Sequence, residues 1–116
     1  MVDGDDRVER KGLFSLVQKL KKIESVDMVF SPYYKVDVNT GRKQEIGYLL
    51  NSNNLYLNDK LTTLKEFSKK LFVTMHGITY RTELLKKSDY RIDENCFYVD
   101  VEYTIYYLIY VKKFYF

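Results

Sequence analysis

From Phe97 to Val111 the odd positions read Phe97, Val99, Val101, Tyr103, Ile105, Tyr107, Ile109 and Val111, and every one is apolar or aromatic. The even positions start polar, with Asp100, Glu102 and Thr104, and turn apolar at Tyr106, Leu108 and Tyr110. Strict alternation predicts a strand with one face on a core. The all-apolar second half predicts cover on both faces. Such a strand exceeds the usual ~5 or 6 residues, so it is expected to bend, to break in two, or to end against another subunit.

The rest of the composition limits what this strand belongs to. The chain has 116 residues, 46% of them hydrophobic and 30% charged, which suits one globular domain. Its 12 Tyr and 7 Phe, without Trp, favour sheet and contact surfaces, since the tyrosine ring is apolar and its hydroxyl tolerates water. The formal charge of +3 permits an anionic partner without requiring one. Cys96 is the single cysteine, so no intramolecular disulfide forms and an intracellular, cytoplasmic setting is expected. The stretch MVDGDDRVERKG is charged, so no secretory signal is expected. No apolar run approaches the ~20 residues that span a bilayer.

Residues 1–11 read as a flexible tail and 12–116 as the domain. Leu13, Leu16, Val17, Leu20 and Ile23 form one stripe of a helix over Gly12 to Glu24, with Lys19, Lys21 and Lys22 off it. Val26 to Phe30 is a short apolar strand ended or bent by Pro32. Tyr34, Val36 and Val38, the turn Asn39-Thr40-Gly41, and Ile46, Tyr48 and Leu50 predict a hairpin, with Gly47 marking a bulge or close approach. Asn51 to Asn54 reads as a turn and Leu55 to Leu57 as a short strand. Thr63 and Glu66 match a capping box, and Leu64, Phe67, Leu71, Phe72 and Met75 give a second helix to His76, capped by Gly77. Residues 78–85 suit either a strand or a helical turn, and Asp93-Glu94-Asn95 a turn. The fold class expected is α+β, one mainly antiparallel sheet of about five strands carrying two amphipathic helices.

Candidate chemistry is sparse. His76 is the one histidine, and its place at a helix end fits a capping or surface role. His76 and Cys96 alone do not make a zinc site. Asp100 and Glu102 share a face of the predicted strand, the placement by which metal-dependent nucleases hold a hard cation, although the lysine that would complete that pattern is missing. The five glycines are scattered, and no phosphate-binding or nucleophile motif occurs, so no cofactor is expected. Lys19, Lys21 and Lys22, with Lys65, Lys69 and Lys70, could contact phosphates from helix faces. Tyr98, Tyr106, Leu108 and Tyr110, on the even face, are the candidate partner-binding residues.

The segments GLFSLVQKLKKIE, SVDMVFSPYYKV and FYVDVEYTIYYLIYVKKFYF together resemble small accessory proteins of archaeal filamentous and rod-shaped viruses, a loose group that includes anti-CRISPR proteins. The resemblance covers less than half of the chain. It implies a short viral protein that acts by binding. The leading expectation is therefore a non-enzymatic protein that contacts a protein partner or itself, in a viral accessory or host-defence role. The alternative is a nucleic-acid-binding module built on the lysines, and the third a small metal-dependent nuclease built on Asp100 and Glu102.

Overall fold

A computed structural model describes residues 2, 4–46, 61–63 and 74–115. In chain order the elements are α1 (Arg10–Leu20), β1 (Met28–Phe30), β2 (Tyr33–Val36), β3 (Lys43–Ile46), β4 (Leu61–Thr62), a 3₁₀ turn (Met75–Gly77), β5 (Ile78–Tyr80), α2 (Thr82–Lys87), α3 (Val99–Tyr106), a second 3₁₀ segment (Tyr107–Tyr110) and β6 (Phe114–Tyr115). The fold class is α+β. The expected single sheet is divided, however, into a four-stranded sheet of order β4-β6-β1-β5 and a separate hairpin of β2 and β3.

β1 lies at the centre because all three of its residues are apolar and can be covered on both faces. It pairs antiparallel with β5, Val29 opposite Thr79, and parallel with β6, Met28 opposite Phe114. Pro32 lies two residues past its end, in the link to β2, as expected from its missing N–H. Met28 and Phe114 are fully buried. Burial of each side chain stabilises the fold by about 2–3 kcal/mol, an upper estimate from transferred area. Phe30 meets Phe114 edge-on at 5.5 Å between ring centres. Asp27 clamps the strand ends: one carboxylate oxygen accepts from the backbone N–H of Lys112 and of Lys113 at 3.0 and 3.1 Å. Arg81 donates through Nε to the Val26 carbonyl at 2.9 Å and lies 3.6 Å from the Asp27 carboxylate.

The hairpin forms where the turn residues placed it. The Asp37 carboxylate accepts from the Asn39 and Thr40 N–H groups, an interaction that holds its pKa below the usual range, led by the Thr40 N–H. Gly41 takes φ +69°, a conformation that glycine adopts without a Cβ clash. The return strand starts at Lys43, earlier than the Ile46 expected; Tyr48 and Leu50, with the proposed bulge at Gly47, lie outside the described residues. So do the turn at Asn51 to Asn54, the strand at Leu55 to Leu57 and the body of the second predicted helix, of which Met75 and His76 sit in the 3₁₀ turn.

α1 begins two residues inside the predicted tail, because Glu9 caps it through a bond from the Gly12 N–H that lowers the Glu9 pKa. It stops at Leu20, short of Glu24, and the chain reverses at Ser25 with φ 58°. The two readings of residues 78–85 are both realised in succession, strand to Tyr80 and helix from Thr82.

The largest departure is the C-terminal segment. Residues 99–106 are α-helix and 107–110 are 3₁₀ helix, where alternation predicts a strand. Tertiary packing overrides the β-propensity of its valines, isoleucines and tyrosines. Tyr103 and Tyr107, one helical turn apart, both reach Tyr80, at 5.6 and 5.7 Å between ring centres. The Tyr80 hydroxyl donates to the Thr104 carbonyl at 2.8 Å, one of the last four of α3, which lack a full set of helical partners. Asp100 and Glu102 fall in the first turn, where carboxylates complement the helix dipole.

Candidate interaction surface

Residues four apart in a helix share a face, and residues two apart lie on nearly opposite faces. The odd-numbered series therefore splits in two. Tyr103, Tyr107 and Val111 turn inward, the two tyrosines only 5% exposed. Val101, Ile105 and Ile109 turn outward, with Ile105 57% and Ile109 71% exposed. Phe97, 92% exposed, and Tyr98 extend the outer face at its start. The segment thus carries apolar side chains on both sides, and among the described residues only one side is covered.

The inner side is a ring of tyrosines. Tyr103 and Tyr107 meet near edge-on at 5.7 Å, and Tyr106 stacks on Tyr90 at 3.6 Å. Burial, with lesser contributions from Tyr103 and Tyr107, pushes the Tyr80 hydroxyl well above the ordinary tyrosine pKa, and burial raises Tyr103 as well. Hydrogen bonding with Tyr110 raises Tyr106. These rings hold the helix against β5, and so fix the direction in which Ile105 points.

Tyr98 enters the helix at φ 67° and ψ 27°, the left-handed region that bulky residues rarely occupy. Its carbonyl accepts from the Val101 N–H at 3.0 Å, and its own side chain makes no capping bond. A strained, solvent-exposed aromatic residue at the start of an apolar stripe is the kind of position where strain accompanies function.

The candidate residues from the sequence fall in different places. Tyr98 and Tyr110 are exposed, while Tyr106 and Leu108 are half-buried against the core. Phe97, Val101, Ile105 and Ile109, which alternation assigns to the core, form the exposed face instead. Asp100 and Glu102 do not share a face, because in a helix i and i+2 diverge; this removes the geometric premise of the nuclease reading. Glu102 instead accepts from the Asp93 N–H at 3.3 Å, and its carboxylate, that of Asp93 and the Cys96 sulfur lie within 4.8 Å of one another at the surface. Lys19 sits over the Tyr115 ring at 5.7 Å, and Lys21 and Lys22 are exposed in the turn after α1. Lys65, Lys69 and Lys70 lie outside the described residues. His76 is exposed, 3.0 Å from Asp6 of the N-terminal segment and against the Tyr33 ring.

Among the described residues no helix is long and apolar enough to cross a membrane. Comparison with known proteins gives no matching family model, curated protein or solved structure.

Proposed function

We propose that the chain is a non-enzymatic binding protein that makes protein–protein contact through the outer face of residues 97–109. One observation carries this reading: Val101 and Ile105, one turn apart on α3, and Ile109 on the 3₁₀ segment that follows are all exposed, while Tyr103 and Tyr107 of the same stretch are packed. A helix apolar on all sides is normally buried, and contiguous exposed apolar surface marks contact sites. The resemblance to viral accessory proteins supports the same class of activity, a short protein that works by contact.

A photoreactive amino acid at Ile105 tests it, with the same group at Val38, on the exposed hairpin turn, as control. In extract of the cells that naturally contain the protein, a discrete adduct at 105 and none at 38 is expected. Equal, diffuse labelling at both positions would sink the reading.

A further inference from the structure

The charges flanking this face point to its occupant. Asp93, Glu94 and Asp100 are exposed at the N-terminal end of the segment, and Lys112 and Lys113 at its C-terminal end. Ile105 is the midpoint between Val101 and Ile109, and the two charged ends lie on either side of it. A second copy laid antiparallel sets acidic end against basic end twice, and the two helix dipoles also oppose favourably. A parallel copy sets like against like at both ends. An anionic lipid surface would meet the acidic end as well as the basic one, which disfavours it.

We propose that the outer face is the interface of an antiparallel homodimer, centred on Ile105, with Val101 of one copy against Ile109 of the other. The pairing is isologous, as a two-fold axis requires. This rests on the reading of residues 97–109 as a contact surface. The apolar stripe supplies the attraction, and the charged ends set the orientation.

The first measurement is light scattering on the full chain over roughly three decades of concentration up to about 1 mM. Wild type should shift from monomer to dimer, and the shift should weaken several-fold between about 20 and 500 mM salt. Ile105→Glu should stay monomeric while keeping the wild-type far-ultraviolet circular dichroism, since Ile105 lies outside the core.

The second measurement is oxidative cross-linking in a Cys96→Ser background. That change removes only a weak 3.9 Å contact with the Asp93 carbonyl. Val101→Cys mixed with Ile109→Cys should form mixed disulfides, with neither variant linking to itself.

Wild type that stays monomeric at about 1 mM overturns the dimer, as does self-linking of Val101→Cys, which would mean a parallel pair. If wild type is monomeric and Ile105 labels a different protein in extract, the dimer is lost and the contact surface stands. Selective attachment to anionic vesicles by wild type and not by Ile105→Glu overturns both. Absence of dimer together with diffuse labelling also overturns both.

Discussion

Residues 103, 107 and 111 and residues 101, 105 and 109 belong to one unbroken apolar series, yet the first set is core and the second is surface. Both sets have the same spacing, and the exposed one, Val-Ile-Ile against Tyr-Tyr-Val, is the more hydrophobic of the two. What separates them is the tyrosine ring around Tyr80, which can receive only one side of α3. The difference teaches that apolar character in this segment does not by itself decide burial: one set is packed within the chain and the other is exposed.

The sharpest division between the faces is energetic. Tyr107→Ala removes a ring that touches Tyr80, Tyr90, Tyr103 and Tyr106. It should cost about 3–5 kcal/mol by urea denaturation, from lost transfer energy and the cavity left behind. A loss below about 1 kcal/mol would show that the inner side is not core, and the comparison would collapse.

Asp27 anchors the far end of the same segment. Asp27→Ala strips two backbone N–H groups of their acceptor and leaves Arg81 without its carboxylate neighbour. The expected cost is roughly 2–3 kcal/mol, from two hydrogen bonds to a charged acceptor exchanged for water. The inner face should loosen with it, seen as faster amide exchange in residues 103–111. Unchanged exchange there would mean that the tyrosine ring alone holds the helix.

Tyr80→Phe keeps the ring and deletes the bond to the Thr104 carbonyl. It should cost about 1–2 kcal/mol at neutral pH. The pH dependence separates this bond from packing. The folded state raises the Tyr80 pKa above the unfolded value near 10. In that case the unfolded chain loses its proton first, so stability is fully present below pH of about 10 and falls as pH rises beyond it. Tyr80→Phe should flatten that decline. An equally steep decline in the variant would assign it to other groups, with Tyr103 next in line.

How far these features can be read in advance differs between the two ends of the chain. The hairpin was legible because its signal is local: Asp37, Thr40 and Gly41 make their own turn, whatever packs nearby. The buried central strand was legible because Met28-Val29-Phe30 is short, apolar and closed by Pro32. The C-terminal helix was not, for an arithmetical reason. A repeat of two contains a repeat of four, so alternation fits a strand and also fits two opposite stripes of a helix. Propensity then favoured the wrong choice, since Val99, Val101, Thr104 and Ile105 are β-branched. Two local signals spoke for the helix: carboxylates at 100 and 102, suited to a first turn, and Thr104, whose hydroxyl bonds back to the Asp100 carbonyl at 2.7 Å. The placement of the exposed face inherited the error. Tyr98 and Tyr110 lie exposed, but Ile105 and Ile109 were hidden behind an assignment to core.

The smallest expected effect tests the outer face. Ile105→Ala removes three side-chain heavy atoms at a position outside the buried core, and alanine is the better helix former by a few tenths of a kcal/mol. At about 5 µM, where a weak dimer is dissociated, the melting temperature should be unchanged or slightly raised. At high concentration the order reverses, because association stabilises wild type by mass action and the variant gains nothing from it. Melting temperatures that stay parallel at every concentration would leave Ile105 an ordinary exposed side chain, and the two faces would then differ in burial alone.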